Sequence, residues 1–268
     1  MITSFQNSRI KNVLKLRRQR ARKKQGKTII EGYRSLLRAV DNGYALEDLY
    51  VCSSMFLGDN EPALIQRAKD QGVQVFEVSE EPFQKMAYVE RPDGLLAVAP
   101  QVRQPLSDHP PAATGFYLIV EAIERPGNLG SIMRSADAAG VAGLIICDPQ
   151  TDIYNPEVIR ASVGTIFTVP VLEAATEQAI RWCGEHNLRT LAATPHTDTL
   201  YTDSDMTQPL ALVVGSEKYG LSQTWIEQSD IPVRIPMFGQ ADSLNVATAT
   251  TLLLYEVVRQ RGNVASIG

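Results

Sequence analysis

The sequence has few residues of the two kinds that most often hold metals or covalent cross-links. Among its 268 residues there are three histidines and three cysteines, and Cys52, Cys147 and Cys183 lie far apart with no CxxC pair. An odd number of isolated cysteines argues against a disulfide framework, and scattered histidines argue against a metal cage. We therefore expect neither disulfide bonds nor a bound metal.

Long apolar runs are missing as well. No run approaches the roughly 18 residues that a membrane-spanning helix needs, and the opening residues, MITSFQNSRIKN, lack the apolar core of a signal peptide. These absences predict a cytoplasmic protein with no membrane attachment. Hydrophobic residues make up 44% and charged residues 21%, which excludes a disordered or collagen-like chain and is compatible with about two globular domains.

Acidic residues are scarce near the N-terminus. Residues 1–40 contain 12 lysines and arginines against a single acid, Glu31, although the whole chain has a net charge of −4. Ten of those basic residues fall within 9–27, where no acidic residue occurs. Most charge runs are solvated helix faces, but ten uncompensated charges repel one another and favour a surface that binds a polyanion. Nucleic acid is the polyanion that this pattern favours.

The same run predicts one helix. Its apolar residues at helical spacing are Ile10, Val13, Leu14 and Leu16. They would dock the helix through a single stripe. Only Phe5 and Tyr33 bring aromatic rings nearby, which favours contacts with phosphates over stacking on bases. The residues predicted to contact RNA here are all lysines and arginines: Arg9, Lys11, Arg17, Arg18, Arg20, Arg22, Lys23 and Lys24.

Strand-like and helix-like segments alternate along the chain, which predicts an α/β protein with mostly parallel sheets covered by helices. In the first part the predicted strands are 27–32, 46–52, 73–79 and 94–100, and the predicted helices are 33–42 and 62–72. In the second part the predicted strands are 116–123, 144–148, 167–172, 188–194, 210–215 and 230–237, and the predicted helices are 129–140, 156–164, 173–186, 221–229 and 243–261. Four prolines mark a semi-extended linker between the two parts: Pro100, Pro105, Pro110 and Pro111. The predicted domains are therefore 1–100 and 116–268, with a linker at 101–115.

Three loops follow predicted strands, where ligands of open α/β sheets bind. After the first strand of the second domain, Asn128 can cap a helix whose N-terminus attracts anions, and Arg134 is either part of that site or a surface arginine. In the second loop, Glu217 comes two residues after Gly215. It either contacts a ligand or only caps the loop and keeps it in contact with solvent. In the third, Ser243 is either a site residue or a helix N-cap, and a buried Asn245 would need a purpose.

Together, the three segments resemble the motifs of the SpoU family of knotted SPOUT methyltransferases. The matching residues are N-L-G-S-I-x-R-S-A-x-A-x-G at 128–140, G-S-E-x-x-G-L-S at 215–222, I-P-M at 235–237 and S-L-N-V at 243–246. RASVGTIFTVPV at 160–171 is similar to the intermediate segment of the family. The first domain, with IEG at 30–32 ahead of a helix, resembles the family's N-terminal substrate-binding module, which is similar to a small ribosomal-protein α/β fold.

The resemblance implies methylation of a ribose 2′-hydroxyl in RNA with S-adenosylmethionine, on 23S ribosomal RNA sooner than on transfer RNA. It implies a C-terminal SPOUT domain with a trefoil knot and a homodimer, in which Arg160 of one subunit reaches the other's active site. The implied cofactor-binding residues are Thr194, Gly215, Ile235, Met237 and Leu244. The implied catalytic residues are Arg134, Asn128, Glu217, Asn245 and Ser243.

Two roles for Arg134 stay open. It either loses a proton transiently while an RNA phosphate helps, or stays charged and stabilises the forming alkoxide. The other four residues would orient Arg134 and the ribose.

Two different hypotheses compete with this one. A non-catalytic RNA-binding protein would not need the catalytic set, and a small-molecule enzyme on a doubly wound fold would not need ten basic residues near its N-terminus.

Overall fold

A computed structural model describes residues 1–112 and 115–262. Its strands are β1 (Lys27–Glu31), β2 (Asp48–Val51), β3 (Gln74–Glu77), β4 (Leu95–Pro100), β5 (Gln104–Pro105), β6 (Phe116–Glu121), β7 (Gly143–Cys147), β8 (Val171–Ala174), β9 (Arg189–Ala193), β10 (Leu210–Val214) and β11 (Ile231–Val233). Its α-helices are α1 (Ser8–Leu16), α2 (Gln19–Gln25), α3 (Tyr33–Asp41), α4 (Glu61–Asp70), α5 (Glu80–Met86), α6 (Pro126–Ala139), α7 (Pro156–Ala161), α8 (Thr176–Glu185), α9 (Gln223–Gln228) and α10 (Val246–Gln260).

The chain divides into two compact units. Unit 1 comprises Met1–Val102 and Asp152–Thr168, and unit 2 comprises Arg103–Thr151 and the chain from Val169 onward. The division differs from the predicted domains because residues 152–168, which lie inside the predicted second domain, belong to unit 1.

Unit 1 contains a four-stranded mixed sheet in the order β1-β4-β2-β3. Strand β4 pairs antiparallel with both β1 and β2, and only β2 and β3 are parallel. The prediction of a mostly parallel sheet is therefore wrong for this unit. Alternation of strands and helices does not fix direction here, because β4 enters between β1 and β2 in the reverse direction. The helix α5 was not predicted.

The basic run forms two helices, where the sequence predicted one. Ile10, Val13 and Leu16 are completely buried, as an apolar stripe requires, whereas Leu14 is only half-buried. Arg18, with extended backbone, separates α1 from α2. The chain can turn here because a side chain of the second helix binds the end of the first.

Arg22 caps the C-terminal end of α1. Its guanidinium donates to the carbonyl oxygens of Leu16 at 3.1 Å and Arg17 at 3.0 Å, and its Nη2 lies 2.7 Å from the Asp152 carboxylate. Both side chains of this ion pair are almost completely buried. A charge removed from water in this way is stable only with its partner, so the pair also holds residues 152–168 to unit 1.

Two further contacts anchor that segment. The Thr28 hydroxyl donates to the carbonyl oxygen of Tyr154 at 2.7 Å. Gly164 has a φ of +83°, and a Cβ at this position would lie 2.7 Å from the Cα of Ser35. Only glycine permits that approach and that backbone conformation together.

Unit 2 contains a seven-stranded sheet in the order β11-β9-β10-β6-β7-β8-β5. Every pairing in it is parallel, as the sequence predicted. The two-residue strand β5 and the buried Leu106 lie in the predicted linker, which is therefore partly built into this unit. The strand predicted at 167–172 is instead a 3₁₀ helix, Thr165–Phe167, followed by β8.

Candidate active site and family

The three motif loops lie at one edge of the unit 2 sheet. Strands β6 and β10 are neighbours, and β9 and then β11 follow on the far side of β10. Because all four run in the same direction, the loops after them, at 122–125, 215–222, 194–200 and 234–245, start from the same edge. This is where open parallel sheets bind their ligands.

A carboxylate from a distant loop occupies the N-terminus of α6. The helix starts at Pro126, and its N-cap, Arg125, makes no side-chain capping bond. Asn128 therefore lies inside the first turn and is not the cap that its sequence position suggested. Instead, Glu217 accepts hydrogen bonds from the backbone N–H groups of Glu124 at 3.2 Å and Arg125 at 3.3 Å. A negative charge is favoured at this end of a helix.

Asn128 links this carboxylate to the start of α10. Its Nδ2 donates to Glu217 Oε1 at 2.7 Å, and its Oδ1 accepts from Asn245 Nδ2 at 3.1 Å. Asn245 Oδ1 in turn accepts from the Ala247 N–H at 3.0 Å, so Asn245, and not Ser243, is the N-cap of α10. Asn245 is exposed, so the condition of burial under which its side chain would need a purpose is not met. The chain of bonds fixes which end of each amide donates and which accepts.

Hydrogen bonds keep the Glu217 carboxylate ionised. Burial tends to raise its pKa, but the bonds from Asn128 and from the backbone at Glu124, Glu217 and Arg125 together lower the pKa below its ordinary value of 4.5. A carboxylate whose lone pairs are engaged and whose pKa is depressed is a weak proton acceptor. Glu217 is therefore suited to hold the loop and orient Asn128.

The loop that carries Glu217 needs glycine at its first position. A Cβ on Gly215 would lie 2.1 Å from the carbonyl carbon of Gly220, closer than any side chain permits. Ser216 and Gly220 exchange backbone hydrogen bonds at 2.9 and 3.1 Å, which folds the loop back on the end of β10. The glycine thus makes possible the return that presents Glu217 to α6.

Sequence analysis missed one carboxylate at this edge. Glu121, the last residue of β6, is buried; its Oε1 accepts from the Thr176 hydroxyl at 3.0 Å and its Oε2 from the Ser222 N–H at 2.7 Å. Next to it, Ala122 has a φ of +53°. Glu121 therefore ties α8 and the 215–222 loop to the end of β6. The signal in the sequence was an acid directly after the apolar run FYLIV.

Arg134 and Ser243 lie outside the hydrogen-bonded network. Arg134 is the ninth residue of α6 and is exposed, and Ser243 is exposed in the loop before α10. Within residues 1–112 and 115–262, neither side chain makes a hydrogen bond or an ion pair. The structure thus joins Asn128, Glu217 and Asn245, and it leaves Arg134 exposed on the helix that carries Asn128, where its guanidinium can bind an anionic group.

The predicted cofactor residues have mixed exposure. Thr194 is buried, and its N–H donates to Val233 at 3.0 Å, which joins the ends of β9 and β11. Ile235 is half-buried, and Met237 and Leu244 are exposed in the irregular loop at 234–245. These apolar side chains and the backbone of the loop suit a ligand that has an apolar face and a hydrogen-bonding edge.

Two exposed aromatic residues of these loops were not among the predicted site residues. The Phe238 side chain is 96% exposed, and that of Tyr219 is 75% exposed. Each lies next to a glycine in its loop, and that was the sequence feature by which they could have been found. Side chains of this size gain stability when a ligand or partner covers them.

The basic residues of unit 1 fall into two groups. The side chains of Lys11, Arg17, Arg18, Arg20, Lys23 and Lys24 are exposed, and so is that of Arg160 on α7. Arg9 is half-buried, 2.9 Å from Asp48 and stacked on Phe76. Arg22 must be removed from the predicted RNA-binding residues, because its side chain is buried against Asp152 and cannot reach a phosphate.

Two segments match known families. Residues 7–97 match the MRM3-like substrate binding domain, and residues 115–255 match the SpoU rRNA Methylase family. The chain belongs to the SpoU rRNA methylase family. The resemblance found in the three loop motifs is thereby confirmed, as is the resemblance of the first domain to a substrate-binding module.

Relatives cover almost the whole chain. The 23S rRNA (uridine(2479)-2′-O)-methyltransferase of Streptomyces viridochromogenes is 33% identical, with 90% of this chain and 85% of the relative covered. The 23S rRNA (guanosine(2553)-2′-O)-methyltransferase RlmP of Bacillus subtilis is 26% identical over 96% of this chain and 98% of its own. The crystal structure of the AdoMet-bound rRNA methyltransferase of Sinorhizobium meliloti is 29% identical, with a TM-score of 0.88, and covers 96% of this chain and 97% of that one.

Two further findings concern metal sites and membrane-spanning helices in the described parts of the chain. No group of three or more histidine, cysteine, aspartate or glutamate side chains there could hold a metal ion. None of the helices described is both long enough and apolar enough to cross a membrane.

Proposed function

We propose that this protein is an S-adenosylmethionine-dependent RNA 2′-O-ribose methyltransferase whose substrate is 23S ribosomal RNA. The hydrogen-bonded set of Glu217, Asn128 and Asn245, with Arg134 exposed on the same helix as Asn128, carries the proposal. These residues lie in the SpoU motifs of a chain that belongs to that family. Two relatives named above act on 23S rRNA, which favours ribosomal over transfer RNA.

The cofactor would be held by the loops after β9, β10 and β11. Thr194, Gly215, Ile235, Met237 and Leu244 supply backbone groups and apolar surface of the kind that suits an adenosyl group. When bound, S-adenosylmethionine supplies a methyl group already activated by its positive sulfur. The protein must then position the ribose hydroxyl and assist its ionisation, because that hydroxyl is a very weak acid.

Arg134 would act on the hydroxyl as a cation. A guanidinium has five donors and no acceptor, so it stabilises negative charge far more readily than it takes up a proton. Loss of the hydroxyl proton to solvent would leave negative charge on O2′, which Arg134 would stabilise. The O2′–carbon bond would then form as the bond between the methyl group and the cofactor sulfur breaks, leaving the sulfur as a neutral thioether. Asn128 and Asn245, with their amides fixed by Glu217 and Ala247, would orient the ribose.

We also infer that the C-terminal segment forms a trefoil knot. Strand β11 lies at the sheet edge, yet α10, which follows it, packs against α6, three strands away in the sheet. The Ser135 and Thr251 hydroxyls lie 2.7 Å apart across this helix pair. The chain must therefore pass β9 and β10 between β11 and the contact of α10 with α6. This path supports the inference that the C-terminal segment is threaded through a loop of unit 2.

A homodimer would cover surface that one copy leaves exposed. The sequence at 244–258 is apolar around much of the circumference of a helix, which predicts burial on several sides, yet Leu252 and Tyr255 are exposed on α10. We expect sedimentation equilibrium at micromolar concentration to give the mass of a dimer, and Tyr255→Asp to give a monomer. Arg160 would bind an RNA phosphate at the partner's active site. A monomeric wild-type protein would contradict this part of the proposal.

The cytoplasm is the proposed location, since the RNA substrate is there and all three cysteines are free thiols. The decisive experiment maps 2′-O-methyl groups in ribosomal RNA from cells with and without the gene. We expect one 23S site to lose its methyl group and to regain it with purified protein and S-adenosylmethionine. An unchanged 23S map together with a lost transfer RNA methyl group would favour the transfer RNA alternative.

A further inference from the structure

The fold adds an aromatic ring, Tyr88, to a basic surface near which the local sequence supplies only Phe5 and Tyr33. The Arg17 guanidinium lies over the Tyr88 ring, 5.5 Å from its centre, and Lys85 lies 4.9 Å from the centre of the Phe5 ring. Tyr88 is 71 residues beyond Arg17 in the chain, which is why the local pattern did not reveal the pair. An arginine beside an aromatic ring is the arrangement on which unpaired bases stack in many RNA-binding proteins.

A buried carboxylate holds Tyr88 in place. Glu31 Oε2 accepts from the Tyr88 N–H at 2.7 Å, and its Oε1 accepts from the Val89 N–H at 3.4 Å. These bonds fix the backbone, so the exposed ring is presented without being tied down itself. Because the backbone at Tyr88 is ordered before binding, less conformational entropy is lost when a base stacks on the ring.

Positive charge collects around this turn. Burial raises the pKa of Glu31, whereas the hydrogen bonds from Tyr88 and Val89 and the charge of Arg160 lower it. Arg34 and Arg91 are exposed on the segments that flank Glu31 and Val89. Asp93 is nearby, but its carboxylate accepts from the backbone N–H of Tyr33 at 2.6 Å and is engaged there, whereas Glu90 is exposed next to Arg91. A phosphate next to a base stacked on Tyr88 would therefore meet Arg17 and Arg91, with Glu90 as an exposed carboxylate on the same turn.

We propose that Tyr88, with Arg17 beside it, is the stacking site for an unpaired nucleotide of the RNA substrate. The inference rests on the proposed function, because it assigns part of that substrate's binding to unit 1. It also names the kind of RNA structure that is recognised: a base in a duplex has no free face, whereas a base in a loop or single strand offers one. Ribose chemistry is common to all nucleosides, so such contacts outside the active site can select the target.

The test compares two RNAs and two aromatic positions. The probes are a fluorescein-labelled single-stranded oligoadenylate of about 12 nucleotides and an RNA duplex of the same length, with binding measured by fluorescence anisotropy. Tyr88→Ala is expected to weaken single-strand binding about tenfold, near the low end for loss of one stacked base, and to leave duplex binding unchanged. Tyr88→Phe should bind as wild type does, and Tyr88→Leu should resemble the alanine variant.

Phe5→Ala is the matched control. Phe5 and Tyr88 are 38% and 37% exposed, and each has a cation near its ring. Phe5, however, borders a cavity lined by Glu80 and Glu81, whose carboxylates would repel a phosphate. We expect its loss to leave both affinities unchanged, and thermal unfolding curves of all variants verify that they fold.

The outcomes separate this inference from the proposed function. If wild-type protein methylates ribosomal RNA and Tyr88→Ala binds the single strand as well as wild type does, the stacking site is wrong and the enzyme assignment stands. An equal loss of duplex binding would mean that Tyr88 supports the unit structurally, and would also overturn the inference. Wild-type protein that binds neither probe and methylates no RNA would overturn both.

Discussion

The two units place charge in opposite ways. In unit 1, exposed cations stand on α1 and α2, and the carboxylates of Glu31, Asp93 and Asp152 are engaged with backbone amides or with Arg22. At the strand ends of unit 2 an acid, Glu217, is the organising charge, and Arg134 is an exposed cation on α6, the helix that also carries Asn128. Many exposed cations suit a long polyanion, whereas an exposed cation on the helix that carries a fixed amide suits a single reacting atom.

The same comparison applies within the basic run itself. Arg22 and Arg17 are five residues apart, yet the first is buried in an ion pair and the second is exposed on the surface. Two arginines of the same run thus differ in role: Arg22 stabilises the fold, and Arg17 is available to bind a ligand. Variants at the two positions separate these roles.

Arg22→Ala should give the largest loss of stability. It leaves the Asp152 carboxylate buried without its partner, and breaking a buried pair in this way costs about 3–5 kcal/mol of unfolding free energy. Arg17→Ala, the control, should change stability by less than about 0.5 kcal/mol. Urea unfolding followed by circular dichroism measures both. The double variant Arg22→Met/Asp152→Leu should recover most of the loss, and a stable Arg22→Ala protein would show that the pair does not anchor residues 152–168.

Arg134→Ala should give the largest loss of activity. Removing one charge that stabilises a transition state lowers the rate by about 10²–10³-fold. Arg134→Lys should also be badly impaired, since lysine keeps the charge but loses the planar fork that touches ribose and phosphate together. The measurement is methyl incorporation into protein-free rRNA fragments, with S-adenosylmethionine affinity on the same proteins. Arg181→Ala, an exposed arginine on α8, is the control and should keep full activity.

The opposite result would assign Arg134 to the fold. Substantial activity in Arg134→Ala would remove it from the reaction, and a parallel loss of stability and cofactor affinity would make it structural. Asn245→Ala should cost less activity than Arg134→Ala, because its proposed part is to orient a partner and not to stabilise charge.

Three candidate site residues could be singled out from the sequence because they sit in contiguous loops after strands. Asn128, Glu217 and Asn245 were each found in this way, and the structure joins them by hydrogen bonds. The predictions that were wrong concern features that depend on contacts between distant parts of the chain. The basic run seemed uncompensated because Asp152, the acid that neutralises Arg22, follows it by 130 residues.

The predictions of strand direction and of the helix cap at Asn128 were wrong for the same kind of reason. Strand β4 is antiparallel to its neighbours, and the position at which a strand enters a sheet is not encoded in its own apolar pattern. Asn128 seemed a helix cap by type and position, but a carboxylate 89 residues away took that place. Local propensity is a weak guide wherever such a long-range partner competes.

Glu217→Gln should have an intermediate effect on stability. The amide keeps one acceptor oxygen but loses the charge that holds Asn128 and the two backbone amides just before α6, at a cost of about 1–3 kcal/mol. The folded-state pKa of Glu217 lies below 4.5, so its stabilising contribution is present above that pH and disappears as the pH falls through the folded-state value. The difference between wild type and Glu217→Gln should therefore shrink as the pH is lowered from 7 to about 3. Glu185→Gln, at an exposed position on α8, should show no such difference.

The smallest effect per residue is expected at the surface of unit 1. Replacing Arg17, Arg18, Lys23 and Lys24 together by alanine should weaken RNA binding and lower the salt slope by up to about one unit for each phosphate that the protein no longer neutralises. Affinity for S-adenosylmethionine should hardly change, since the proposed cofactor loops belong to unit 2. The measurement is RNA affinity at several salt concentrations, and Arg67→Ala/Lys69→Ala on α4 is the control for loss of surface charge in the same unit. An unchanged slope in the fourfold variant would mean that these cations are a solvated face, and that unit 1 recognises RNA through other residues.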